Sequence, residues 1–189
     1  MSLIELVIFI VIVSIAVTGV LVVYNQSVRG SADPLVRKQA VAIAESLLTE
    51  VLLQPLTYCD PQDATNYLIP PPVSTASCTG GAAASEDNGG GALGPKPVTE
   101  SRFSGTAPFN NVADYNGYTM NAGIYSLDDG TTPIPGLGAY LASVTITRAG
   151  AVFSLANDAV LRVDVLVTRG NESITLTGYR FRYAPNATG

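Results

Sequence analysis

Glu5 is the only charged side chain in the first 28 residues, and from Leu6 to Val23 only Ser14, Thr18 and Gly19 interrupt an otherwise apolar run. An unpaired carboxylate in hydrocarbon costs several kcal/mol, so this acid requires a partner that its own segment does not supply. Its chemistry is therefore pairing rather than catalysis. Cys59 and Cys78 are the only cysteines. In a domain outside the cytoplasm an even pair reads first as a disulfide, whose loop of about 20 residues stabilises by roughly 3 kcal/mol; two free thiols or half a metal site is the alternative. Asp128-Asp129-Gly130 carries the oxygen donors of a calcium ligand set, yet a lone Asp pair reads as a solvated turn. Gly89-Gly90-Gly91 lacks the strand, lysine and helix of a phosphate loop.

The chain has no histidine, which removes haem ligation, the commonest zinc ligand and the usual general base together. No catalytic residue, metal or cofactor is expected, and the chain reads as a protein that is not an enzyme. The formal charge of −5, with seven Lys or Arg scattered among eleven acids beyond residue 53, argues against a nucleic-acid partner.

The elements that place these residues follow from periodicity. The apolar run approaches the ~20 residues that span a bilayer core of roughly 30 Å, which predicts a membrane helix over 1–28. The first basic residue, Arg29, lies beyond that run, whereas signal peptides and ordinary anchors begin with a basic region, so the chain reads as already processed. Over 29–53 the residues Val36, Ala40, Ile43, Leu47 and Val51, widened by Ala44 and Leu48, recur at helical spacing. Val41 and Leu52 lie outside this stripe, so one apolar face can cover the chain's own domain and another can meet neighbours; taken alone, the pattern equally describes the core helix of a monomer. Between the halves, Pro34 has no amide hydrogen for the Gly30 carbonyl, which predicts a kink there or a restart with Asp33 as cap. A mostly helical 1–53 is about 75 Å long at ~1.5 Å per residue.

Residues 54–117 are rich in Pro, Gly, Ser and Thr, including Pro70-Pro71-Pro72, and predict an irregular segment wrapped on the surface and held by the two cysteines. Residues 118–189 alternate. Tyr140, Ala142, Val144 and Ile146 share one face, as do Leu161, Val163, Val165 and Val167. Gly170-Asn171 predicts a tight hairpin into Ile174 and Leu176, and the apolar parity then flips at Thr177-Gly178 towards Tyr179, Phe181 and Tyr183, which predicts a bulge. A further strand is expected from Tyr118 to Tyr125. The fold class is α+β: an antiparallel sheet of about four strands covered by the second half of the amino-terminal helix.

Met1-Ser2-Leu3-Ile4-Glu5-Leu6 resembles the mature start of a type IV pilin or pseudopilin, in which a leader is cleaved and the new amino terminus methylated. Ala32-Asp33-Pro34-Leu35-Val36-Arg37, Gln54-Pro55-Leu56-Thr57-Tyr58-Cys59-Asp60 and Gly178-Tyr179-Arg180-Phe181-Arg182-Tyr183-Ala184-Pro185-Asn186 are similar to MSHA-type prepilin-like minor pilins. The likeness is strong over the first helix and diffuse beyond it. Ser14 and Val22 stand where many pilins have Gly and Pro, which moves the expected site of any unwinding within a filament to Gly19.

The resemblance implies a subunit held in the bacterial inner membrane by lipid contacts, then drawn into an extracellular helical filament of copies of itself by inner-membrane assembly machinery and related minor pilins. Leu3, Ile4, Leu6, Phe9 and Val13 would line the filament core, with Glu5 paired to the amino group of Met1 on an adjacent subunit. Adhesion or motility is the implied use. A pseudopilin of a type II secretion system or a minor pilin at the filament tip uses the same helix, and a single-pass anchored periplasmic binding module is the distant alternative.

Overall fold

The structure is a computed structural model that describes residues 2–68 and 72–182, with the backbone alone for 26–33, 66 and 67. Met1, Tyr183 and Pro70-Pro71 lie outside the described residues. The chain forms two units, Met1–Gln39 and Ala40–Gly189.

A single α-helix, α1, covers Leu3–Leu53, with Pro34 inside it. The expected restart at Asp33 is not found, because backbone hydrogen bonding continues on either side of the ring. Proline costs a helix one donor and crowds one turn, and the long flanks supply enough bonds to carry the helix through. Gly30 belongs to the residues of which only the backbone is described, and it is helical.

Within the second unit, Ala40, Ile43, Ala44, Leu47 and Val51 of α1 are buried, as their spacing of three and four requires. They cover one face of an antiparallel sheet. Among the described residues the sheet has four strands, β1 (Thr119–Met120), β2 (Leu141–Arg148), β3 (Val160–Arg169) and β4 (Glu172–Phe181), in the order β1-β2-β3-β4. Ala142, Val144 and Ile146 of β2 stand opposite Val167, Val165 and Val163 of β3, and all six are buried. Each buried valine contributes about 1.5–3 kcal/mol, and the β-branched cross-strand pairs hold the register. The α+β architecture is therefore the expected one.

Gly170-Asn171 makes the hairpin, pairing Arg169 with Glu172 across a two-residue loop. Gly170 has φ 58°, the left-handed value that such loops need and glycine adopts without a steric cost.

The expected bulge in β4 is absent. Thr177, Gly178 and Tyr179 pair in uninterrupted register with Asp164, Val163 and Arg162. The apolar parity flips because the inward position is taken by a residue with no side chain. A Cβ on Gly178 would lie 2.8 Å from Leu52 Cδ1 and 3.2 Å from Leu48 Cδ1, so glycine is what lets α1 approach the strand. Tyr179 and Phe181 point to the outer face, where Phe153 packs edge-on at 5.3 Å and 5.0 Å between ring centroids. The strand expected over 118–125 shrinks to the two residues of β1, because the chain turns at Gly123 (φ 111°) and returns as a lone bridge between Tyr125 and Pro133.

Residues 54–117 lack long elements, as expected, and form short 3₁₀ turns at Ala64–Tyr67, Thr75–Ser77, Ala82–Ala84, Asn88–Gly90 and Val112–Tyr115. They do not simply wrap the surface. Ser85, Glu86, Asp87, Glu100, Arg102, Asn111 and Asp114 are buried, so this segment brings polar groups into an otherwise apolar interior.

Candidate functional site

In the first unit, Leu3–Asn25 is long and apolar enough to cross a membrane. Leu3, Ile4, Leu6, Phe9 and Val13 are all exposed on it. Its hydroxyls are satisfied within the helix, Ser14 Oγ donating to the Ile10 carbonyl at 2.7 Å and Thr18 Oγ1 to the Ser14 carbonyl at 2.8 Å, which lowers the cost of placing them in lipid. Gly19 is helical and opens onto free space. Glu5 Oε2 accepts from the Ser2 backbone N–H at 3.4 Å. That bond is long and caps the helix start, where the macrodipole also favours an acid. The expected partner atom on Met1 lies outside the described residues.

In the second unit, Cys59 and Cys78 form the expected disulfide, with Cα atoms 5.2 Å apart and both side chains buried. Asp128-Asp129 stays a turn: Asp129 Oδ1 accepts from the Thr131 backbone at 2.8 Å, the Thr131 hydroxyl at 2.7 Å and the Thr132 backbone at 3.2 Å. The Thr131 hydroxyl and backbone hold its carboxyl down at about 2.

Two polar groupings of the second unit leave no periodic trace in the sequence. The first centres on Glu50 of α1. Arg102 grips it with two parallel bonds, Nε to Oε1 at 2.7 Å and Nη2 to Oε2 at 2.7 Å, and the Tyr115 hydroxyl donates to Oε1 at 2.9 Å. The Arg102 guanidinium carbon also lies 5.1 Å from the Phe103 ring centroid and 5.6 Å from that of Tyr118. Burial works against the Arg102 charge, but Glu50 more than offsets it and the guanidinium pKa rises. Desolvation, with the Glu50 charge beside it, pushes the Tyr115 phenol up as well. This charge-assisted hub anchors the irregular segment to the helix. The legible signal was an acid three residues beyond Leu47, inside the apolar stripe.

The second grouping is Glu86, Glu100 and Asp114, with Asn110 beside them. Asn110 Nδ2 donates to Glu100 Oε1 at 3.0 Å, and the Asn110 and Asn111 backbones donate to Asp114 Oδ2 at 3.0 Å and 2.8 Å. The Asn111-Val112-Ala113-Asp114 capping box fixes this turn, a pattern readable in the sequence. Burial, reinforced by the Asp114 carboxylate, pushes Glu86 up to about 10 and Glu100 up to about 8. Asp114 is raised too by burial, against the N–H groups that favour its charge.

No family model, curated protein or solved structure matches the chain. Its architecture, an apolar amino-terminal helix and a disulfide-bearing domain with an antiparallel sheet, is compatible with a pilin fold.

Proposed function

We propose that this chain is the structural subunit of a type IV pilus-like extracellular filament, working by association rather than catalysis and serving adhesion or motility. The observation that carries the reading is a 23-residue apolar helix, its side chains open to the outside, with a single carboxylate at position five. Lipid covers such a helix in the inner membrane. Extraction into a filament exchanges lipid for the helices of other subunits, a core equally dry, so the transfer costs little and packing decides the outcome. Glu5 then pairs with the amino group of a neighbouring Met1. Because two charges are desolvated together, the pair acts chiefly as a register device.

Replacing Glu5 by valine is expected to leave membrane insertion intact while sharply lowering the yield of sheared filaments, read by electron microscopy with membrane fractionation as the control. Normal fibre yield from Glu5→Val would falsify the reading. Mass spectrometry of sheared wild-type filaments distinguishes a main subunit from a minor one by abundance.

A further inference from the structure

We infer that the open edge of β4 is a docking surface for β4 of a second copy of this chain, paired antiparallel across a two-fold axis, independent of the filament reading. In the order β1-β2-β3-β4 the last strand has a neighbour on one side only, β3. The phase of that ladder fixes what the other side presents. Residues of an antiparallel strand alternate between bonding the neighbour with both backbone groups and turning both away. The Arg182 N–H donates to the Ala159 carbonyl at 2.8 Å, and the hairpin pairs Arg169 with Glu172, so the even-numbered residues of β4 bond β3. The N–H and C=O groups of Ser173, Thr175, Thr177 and Tyr179 therefore line the open edge, and no hydrogen bond among the described residues uses them.

An exposed edge pairs with other strands unless a short length, a lysine, a proline or a bulge blocks it. At the opposite edge β1 is only two residues long. β4 runs for ten residues in uninterrupted register, without Lys or Pro. Its inner face is also incompletely covered. Ile174 and Leu176 are half-buried, as are Leu48 and Leu52 of α1 beside Gly178, whereas Val163, Val165 and Val167 on the adjoining strand are 0% exposed. A strand laid along the edge supplies both the missing backbone partners and the apolar cover.

Charge selects the occupant. Glu172 and Arg180 are the only charged residues of β4, and their even positions put both on its inner face. Antiparallel pairing centred on Leu176 sets Glu172 of each copy opposite Arg180 of the other, so the two-fold forms both charge pairs at once. These are non-hydrogen-bonded positions, where facing side chains stand closest. Arg180 Nε donates to the Gln54 carbonyl at 3.1 Å, which holds the side chain and leaves its terminal N–H groups, unbonded among the described residues, for the carboxylate. Ile174 then faces Gly178 and Leu176 meets its own copy, while Thr175 faces Thr177 on the outer side. Sliding the register one step in either direction puts Arg180 opposite Gly170 or Ile174 and loses the Glu172–Arg180 pairs. The two-fold passes through the sheet and reverses the part of α1 that packs on it, so the contact joins copies pointing opposite ways and not neighbours in one filament.

The test uses the full chain in detergent micelles, followed from about 1 µM to about 500 µM, the span of weak specific affinities. Hydrogen exchange at the Ser173, Thr175, Thr177 and Tyr179 amides is expected to slow as concentration rises. Leu176→Cys is expected to give a covalent dimer on mild oxidation, because facing Cα atoms at such a position lie about 4.5 Å apart, within disulfide range. Thr175→Cys meets its own copy only on the diagonal, roughly 7–8 Å away, and stays monomeric. Glu172→Arg is expected to weaken dimerisation on the order of tenfold, and adding Arg180→Glu to restore it. Thr175→Pro removes a donor from the open edge alone, so it abolishes the dimer while the monomer keeps its Tm. The wild-type exchange decides the matter if a variant does not fold. Exchange that is fast at every concentration leaves the edge unpaired, and exchange that is slow at every concentration makes a segment of the same chain the occupant; either overturns the inference. So does a Leu176→Cys chain that stays monomeric, or cross-linking that survives Thr175→Pro.

Discussion

Replacing Arg102 by methionine removes both bonds to Glu50, the donation to the Tyr118 hydroxyl and Tyr125 carbonyl at 3.4 Å each, and two cation–π contacts. What remains is a Glu50 carboxylate, 14% exposed at its side chain, with the Tyr115 hydroxyl still donating to it. Breaking a buried pair from one side costs about 3–5 kcal/mol, a large share of the ~5–15 kcal/mol that holds a domain together. At ~2–4 °C per kcal/mol, Arg102→Met is expected to lower Tm by about 10 °C. The double variant Glu50→Met with Arg102→Met removes both charges and retains apolar volume, so it should lose at least 2 kcal/mol less than the ~6–10 kcal/mol sum of two such single losses. Thermal unfolding followed by circular dichroism, with the disulfide intact, reads Arg102→Met, Glu50→Met and the double variant. A single-variant loss below about 1 kcal/mol, or strict additivity in the cycle, refutes the claim that this pair anchors the irregular segment.

Opening the Cys59–Cys78 bridge by Cys59→Ser should cost roughly 3 kcal/mol and accelerate proteolysis between residues 60 and 80, with the helicity of α1 unchanged; equal protease resistance would defeat the idea that the bridge pins this segment. Stability should also depend on pH. Glu86 and Glu100, buried and with the Asp114 and Asp60 carboxylates acting on them, keep their protons to about 10 and about 8 when folded but release them near 4.5 when unfolded. The folded state thus binds more protons over that interval. Stability is fullest below pH 4.5 and falls as pH rises through 8 towards 10, by up to about 1.4 kcal/mol per pH unit for each extra proton. Urea midpoints at pH 5, 7 and 9 measure this, and a midpoint that climbs over that range contradicts it.

Local rules were sufficient for the parts of the chain where one face alone is buried. Alternation in β2 and β3 named the inward residues, Gly170-Asn171 named the turn, and the spacing from Ala40 to Val51 named the helix face, because each pattern encodes its own period. The cysteine pair was equally legible, since two thiols admit one intramolecular bridge. At Tyr179 and Phe181 apolar type does not mean inward direction: the strand keeps its parity and α1 occupies the space that Gly178 leaves open.

The sequence by itself determined the apolar stem with its single acid, the strand faces, the hairpin and the covalent link, all of which depend on residues near one another or on pairing without alternatives. Tertiary structure alone decided that Arg102 meets Glu50 across 52 positions, and that Glu86, Glu100 and Asp114 are buried. Those meetings arise from chain path and burial. A charged residue reads as solvent-facing until the fold removes the water around it.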